Sequence, residues 1–257
     1  MIEKIISIAD KAGRIIINAQ QSGDLNVLEK DDGSLVTLAD RASDEYIRNA
    51  LQDEFGIPVI SEESQTCFSS FKARDEFFLV DPLDGTKDFI EGHDDFTVNI
   101  ALVKNRSPVL GVICVPLRKE IFFAEEGRGA FVDKENQRNQ LPLTAHSEII
   151  LARSQFHDLA NMDRFACDNK ITQSLTMSSA VRFCRLAEGK VNLYPGLNHS
   201  MEWDTAAGHI IFRESKGEVT DIRTGLELLY NKSDFRNSPF VAYSKTISLA
   251  QLIFPDI

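Results

Sequence analysis

The stretch Phe77-Phe-Leu-Val-Asp-Pro-Leu-Asp-Gly-Thr86 constrains this chain more than any other. Four apolar residues that favour a strand run straight into two aspartates framing a proline, and Gly85 and Thr86 follow. Proline has no N–H to give to a ladder and fixes its own φ. Pro82 therefore turns the chain and lets Asp81 and Asp84 point into one volume instead of to opposite faces of a strand. Two carboxylates brought that close repel unless a cation joins them. Gly85 lets the backbone come near a ligand, so its amide and that of Thr86 can cradle phosphate oxygens, with the Thr86 hydroxyl in reach of a cation's hydration shell. The same residues also spell an ordinary Asp-Gly turn whose carboxylates face solvent, and this segment alone does not decide between the two.

The remainder of the chain supplies a layered α/β frame. Ile2, Ile5, Ile6, Ala9, Ala12, Ile16 and Ala19 recur at helical spacing up to Gly23, which predicts an amphipathic helix. A second helix is predicted over about 37–55, with Asp40 in its first turn and Gly56-Ile57-Pro58 as its stop. Short β-rich runs follow at Val59-Ile60, Phe77 to Val80, Thr97 to Val103, Val109 to Val115 and Ile121 to Ala124. Further on, a strand is expected at 149–152, a helix over 178–188 closed by Gly189, a strand at 191–194 and a helix over 204–216 closed by Gly217. Helix and sheet layers recur twice, and the change of pattern near Leu141 divides the chain into an N-terminal α+β lobe, 1–140, and a C-terminal α/β lobe, 141–257. No repeat or Pro/Gly-rich linker interrupts it, so such a division must be a packed one.

A chain of 257 residues can bury a core without disulfide or metal staples. Its apolar runs fall far below the ~18 residues a bilayer span needs. Glu3 and Asp10 interrupt the apolar residues of the N-terminus, so no export signal is read there and a cytoplasmic location is expected. The four cysteines, Cys67, Cys114, Cys167 and Cys184, have no paired spacing, which fits reduced thiols. With 28 Lys plus Arg against 39 Asp plus Glu and a net charge of -11, long nucleic acid is a poor partner. A small phosphate ester is not excluded, because local cations, backbone amides or bridging metal ions can hold one in an acidic protein.

Two further segments add carboxylates. Val59-Ile-Ser-Glu-Glu-Ser64 is a short strand ending in an acidic pair, and Trp203-Asp-Thr-Ala-Ala-Gly208 sets an aspartate at the start of a helix of small residues. Taken singly, the first is a solvated turn and Asp204 an N-cap. Taken together, Glu62, Asp81, Asp84 and Asp204 form an oxygen-only donor set with no His or Cys motif beside it, which suits Mg²⁺ or Mn²⁺.

In that order, and spread over most of the chain, Glu62-Glu63-Ser64, Asp81-Pro-Leu-Asp-Gly-Thr86 and Trp203-Asp-Thr-Ala-Ala-Gly208 resemble the Mg²⁺-dependent, lithium-sensitive inositol monophosphatase superfamily. The longer runs Asp81 to Ile90 and Phe96 to Leu102 resemble its 3'(2'),5'-bisphosphate nucleotidase branch more closely than its inositol branch. Val36-Thr-Leu-Ala-Asp40 and the hairpin Gly127-Arg-Gly-Ala-Phe131 are also similar to family elements. The resemblance implies a two-lobe helix-sheet-helix-sheet-helix sandwich. It implies a phosphomonoesterase, with 3'-phosphoadenosine 5'-phosphate hydrolysed to AMP and phosphate as the first expectation and an inositol or sugar phosphate as the alternative. A non-catalytic relative that binds metal or nucleotide is the reading from a different class, and a homodimer is left open.

Residue by residue, the resemblance implies that Glu62, Asp81, Asp84, Asp204 and the main-chain carbonyl of Leu83 hold two or three Mg²⁺ ions, with Mn²⁺ as a substitute. Thr86 relayed to Asp40 would help take the proton from the attacking water, with Glu62 also in a catalytic role, and the amides of Gly85 and Thr86 would bind phosphate. Ser179, Arg182, His199 and Glu202 are candidate substrate contacts. The departures concern these last residues. Where the bisphosphate nucleotidases tend to have Tyr-Pro-Arg, this chain has Tyr194-Pro195-Gly196, and the family's Gly-Ser before a basic residue is Ser178-Ser179-Ala-Val-Arg182. Arg182 and His199 are the candidate replacements for the missing cation. Restoring an arginine at Gly196 is expected to strengthen the grip on a second phosphate, if the backbone accepts a side chain there.

Overall fold

Asp40 is oriented by the helix it opens. In α2 (Leu38–Phe55) the N-cap Thr37 accepts from the Ala39 amide at 3.1 Å, and the Asp40 carboxylate reaches back to accept from Thr37 N at 2.8 Å. The structure, a computed structural model, describes residues 1–23, 26–29, 35–63, 75–142, 144, 148–156, 159–198 and 200–255. Before α2 come the amphipathic α1 (Ile2–Ser22) and a pair of two-residue antiparallel strands, β1 (Leu28–Glu29) and β2 (Leu35–Val36).

The β-rich region forms a seven-stranded sheet in sequence order: β3 (Val59–Ser61), β4 (Glu76–Asp84), β5 (Thr97–Lys104), β6 (Ser107–Val115), β7 (Glu120–Glu125), β8 (Ala130–Lys134) and β9 (Gln137–Gln140). Only β3 and β4 run parallel. Alternation along the strands sends one set of side chains to each face. Phe78, Val80, Ile100 and Val112 pack against Ile5, Ala9, Ile47 and Leu51 of α1 and α2. Phe77, Leu79, Ala101 and Ile113 pack against the opposite layer.

That opposite layer is built by α5 (Val181–Glu188) and α6 (Glu202–Glu214). Beyond it lies a five-stranded sheet of β10 (Ile150–Ser154), β11 (Gln173–Met177), β12 (Leu193–Gly196), β13 (Gly217–Asp221) and β14 (Phe240–Ser244), ordered β11-β10-β12-β14-β13. Met162 and Phe165 of α4 (Leu159–Asp168) cover its outer face. The result is the expected succession of helix, sheet, helix, sheet and helix. Leu141 falls in the connection between the two sheets, and one continuous core joins Phe77 and Leu79 to Ile210 and Ala242; a lobe boundary at 140 is a proposal.

Several elements carry no sequence signal of the kind used above. β11 exposes four of its five residues, so it shows no apolar alternation. The short α3 (Thr86–Glu91), α4, β9, β13 and β14 were likewise not expected, and α6 begins at Glu202, two residues before the expected start. Pro82 does not end its strand. β4 continues to Asp84 through a bulge in which Asp81 pairs with Asn99 and Asp84 with Thr97, so three steps on β4 oppose two on β5. Pairing with β3 stops at Val80, which leaves Pro82 beyond that neighbour's ladder.

Candidate active site

The bulge at the end of β4 delivers the convergence that the Asp-Pro-Leu-Asp sequence suggested. The end of β3 lies beside it, with Glu62 N donating to the Val80 carbonyl at 3.1 Å, and the first turn of α6 brings Asp204 from the other half of the chain. One carboxylate oxygen from each of Glu62, Asp81 and Asp204 lies within 4.8 Å of the others. Asp84 is held beside this group by hydrogen bonds on Oδ2 from Ala180 N at 2.7 Å, Asn99 Nδ2 at 3.2 Å and Thr97 Oγ1 at 3.4 Å. Asp204 Oδ2 accepts from Met201 N at 2.7 Å, so it caps its helix from the third position while its neighbours face it across the site.

Burial and mutual repulsion act together on these acids. Burial first, then the charges of Glu62, Asp84 and Asp204, push the Asp81 carboxyl well above the ordinary range. Asp204 is raised in the same way by burial and by Asp84 and Glu62. Burial raises Asp84 to about 6, against the opposing pull of the Arg182 guanidinium and the Ala180 amide. A close set of carboxylates with Asp81 buried among them, offering only oxygen donors, fits a hard divalent cation.

Thr86 and Asp40 meet as expected: Thr86 Oγ1 donates to Asp40 Oδ1 at 3.1 Å, across 46 residues. Asp40 Oδ2 is already taken by Thr37 N at 2.8 Å and Thr37 Oγ1 at 2.5 Å, which fixes the carboxylate and leaves Oδ1 for Thr86. Burial raises the Asp40 pKa, with the Thr37 and Thr86 bonds working against it, so its carboxylate is a better proton acceptor than a solvated aspartate. Ser43 of α2 donates to the Pro82 carbonyl at 2.8 Å and ties the same helix to the bulge. Gly85 opens α3 with φ at 92°, and a Cβ there would lie 2.2 Å from Ser179 Oγ, so both conformation and space demand glycine.

A cavity of about 260 Å³ adjoins the carboxylates, with Asp84, Asp204, Ser179, Arg182, Tyr194 and Gly196 on its wall. Arg182 Nε donates to the Ser179 carbonyl at 3.0 Å, and the guanidinium lies 4.8 Å from the Tyr194 ring centroid. The four candidate substrate contacts therefore separate. Ser179 and Arg182 line the cavity. Glu202 is fully buried elsewhere, accepting from Asn231 N at 2.7 Å, Lys232 N at 2.9 Å and Lys232 Nζ at 2.8 Å, and so anchors the 231–232 turn to α6. His199 lies outside the described residues. A larger groove of about 1150 Å³ between α1 and the β8–β9 hairpin contains none of these carboxylates, so size alone does not locate the site.

Gly196 is explained by space. Its φ is not among the positive values, but a Cβ would lie 2.3 Å from Phe240 Cε1, so the ring occupies the place of a side chain. The condition on restoring an arginine there, that the position accept a side chain, is therefore not met, and the reason is steric. Gly196→Ala should cost about 1–3 kcal/mol through overpacking, read as a lower melting temperature; an unchanged melting temperature would show that Phe240 swings aside.

Comparison with known proteins shows the family and the fold. The model of the inositol monophosphatase family matches residues 1–253. The chain is 34% identical over 223 residues to the 3'(2'),5'-bisphosphate nucleotidase CysQ of Salmonella typhimurium, covering 86% of this chain and 90% of that protein. It is 31% identical over 229 residues to inositol monophosphatase 3 of Solanum lycopersicum, covering 84% of each. The crystal structure of CysQ from Bacteroides thetaiotaomicron superposes with a TM-score of 0.85 at 36% identity, over 95% of this chain and 96% of that one.

Proposed function

Because the chain belongs to the inositol monophosphatase family and is a phosphatase, we propose that it hydrolyses 3'-phosphoadenosine 5'-phosphate to AMP and phosphate with Mg²⁺. The observation that carries the substrate is Arg182. It stands on the wall of the same cavity as Asp84 and Asp204, so a ligand with one phosphate at the carboxylates can offer a second to the guanidinium. The nucleotidase name of the 34% identical relative supports the same choice.

In this reading Glu62, Asp81, Asp84, Asp204 and the Leu83 carbonyl would hold two or three Mg²⁺ ions, with Mn²⁺ as a substitute, and Li⁺ is expected to inhibit. When bound, the cations would supply the positive charge that acidifies the attacking water and offsets the charge of the phosphate and the leaving oxygen. The chain's own residues manage the proton. Thr86 Oγ1, already donating to Asp40 Oδ1, has its lone pairs for the attacking water, so a proton can pass to Thr86 as Thr86 yields its own to Asp40. Glu62 is placed beside Asp81 to share in the same step, and the Gly85 and Thr86 amides would orient the phosphate. The pair thus needs no covalent nucleophile.

Among the described residues no helix is long and apolar enough to cross a membrane. A cytoplasmic location is part of the proposal, supported by the free thiols of Cys114, Cys167 and Cys184.

The test is phosphate release in Mg²⁺ buffer from 3'-phosphoadenosine 5'-phosphate, AMP, inositol 1-phosphate and fructose 1,6-bisphosphate, with wild type and Arg182→Gln. The bisphosphorylated nucleotide should be preferred. The variant should lose about 10- to 100-fold in kcat/KM on it, the worth of a charged hydrogen bond of ~1.5–3 kcal/mol, while AMP changes little. Preference for the inositol or sugar ester, or equal losses on both nucleotides, would refute the substrate assignment.

A further inference from the structure

We propose that Asp95 is a positioning residue: it holds the turn Ser178–Ala180 so that the Ala180 amide pins one oxygen of Asp84. The inference rests on the proposed role of Asp84 in holding a cation. Asp95 lies in the connection between α3 and β5, outside every motif noted in the sequence, and is only 7% exposed. Its Oδ2 accepts from Ser178 N at 3.0 Å, a contact spanning 83 residues and joining the two halves of the chain. Its Oδ1 is paired with Arg118, which also reaches Asp94 Oδ1 at 3.1 Å. The carboxylate is therefore fixed from one side by a guanidinium and grips the turn with the other oxygen.

The turn needs such a grip. Ser179 has a φ of 52°, a left-handed conformation that serine adopts at a cost and keeps only where its surroundings impose it. Immediately before it stands the amide held by Asp95, and immediately after it the amide of Ala180, which donates to Asp84 at 2.7 Å. The same Ser179 lies against Gly85, with no room for a Cβ between them. Displacing this turn moves the Ala180 donor off Asp84 and opens the packing on Gly85 together. Asp95 thus acts on Asp84 through two peptide units without touching the reacting groups. Partners of this kind set the orientation of cation-holding carboxylates, and their loss costs affinity for the ion more than affinity for the rest of the ligand.

The experiment is a Mn²⁺ titration of the full chain without substrate, read as the free-ion signal by electron paramagnetic resonance. Wild type is compared with Asp95→Leu, which keeps the branched outline in a larger side chain and removes both acceptors, Asp95→Asn, which keeps an oxygen for the Ser178 amide, and Asp84→Asn. Asp95→Leu should bind Mn²⁺ about tenfold more weakly, Asp95→Asn within about threefold of wild type, and Asp84→Asn at least as weakly as the leucine variant. In turnover, Asp95→Leu should lower kcat about tenfold with little change in the substrate KM. Wild-type affinity in Asp95→Leu, with loss in Asp84→Asn, would overturn the positioning role and leave Asp84 its own. Wild-type affinity in Asp84→Asn would overturn the role of Asp84, and this inference with it. Equal weakening in both Asp95 variants would overturn the route through the Ser178 amide and put the effect on the Arg118 pair. If the leucine variant does not fold, Asp95→Ala is judged by the same outcomes.

Discussion

Asp81→Asn should reduce turnover by more than about 10³-fold, the loss expected when several kcal/mol of cation-borne stabilisation is withdrawn, and should at the same time raise the melting temperature of the metal-free protein. The two effects have one cause. Asp81 is buried among Glu62, Asp84 and Asp204, and burial followed by their charges pushes its carboxyl far above its ordinary range. Folding without a cation must therefore either bury repelling charges or take up protons, and both cost stability. Asparagine keeps the shape and can still accept from Leu83 N, which bonds Asp81 Oδ1 at 3.1 Å, but carries no charge. The apoprotein loses a source of repulsion while the site loses a donor. Phosphate release and a thermal melt in chelator, on the same preparation, check both. Turnover within tenfold of wild type, or an apoprotein less stable than wild type, would remove Asp81 from the cation site.

Much of this site was legible because its parts are local. The apolar run into Asp81 and Asp84, the first-turn position of Asp40 and the small-residue helix behind Asp204 are each written in a few adjacent residues, and each takes the place its neighbours imply. Even the error over Pro82 was one of mechanism: the carboxylates converge through a bulge in a continuing strand, not through a turn that ends it. What the sequence did not mark is the set of groups that reach the site across the fold. Asn99 faces Asp84 because of strand register, and the Ala180 amide because Ala180 stands at the N-cap of α5, in the helix layer packed on that sheet. A main-chain donor has no letter of its own. Glu202 shows the converse, since it was a candidate substrate contact, whereas the helix points it at the 231–232 amides.

The metal-free protein should also lose stability as pH rises from 5 to 8, and Mg²⁺ should abolish that loss. For an acid whose folded pKa is raised, the folded state binds the proton more tightly than the unfolded chain, so stability falls as pH climbs from the ordinary pKa to the folded one. Asp84 is raised from 3.8 to about 6, and only the part of that range above pH 5 falls in the window, which at ~1.36 kcal/mol per unit is on the order of 1 kcal/mol. Asp81 and Asp204, raised well above their ordinary values, carry the decline to higher pH, and Asp40 adds to it in the same direction. His209 opposes them. Its buried imidazole is held below its ordinary 6.5, so its contribution grows as pH rises through that value. Burial raises Asp88 and Glu202 as well, so one histidine against six acids leaves the sign with the acids. Carboxylates lowered by ion pairs, such as Glu227 at about 2, act below pH 5 and do not enter the window. Asp84 alone accounts for a fall of about 1 kcal/mol, or roughly 2–4 °C in melting temperature for a chain of this size, and Asp81 and Asp204 add to it. A bound cation favours the ionised acids, so with saturating Mg²⁺ the curve should be flat or should rise, because the folded site then gives up its protons to take the ion. Melting curves in chelator and in Mg²⁺ across this range distinguish the cases. A chelated protein that gains stability toward pH 8, or one whose slope Mg²⁺ leaves unchanged, would mean that Asp81, Asp84 and Asp204 are not drawn together by the need to hold a cation.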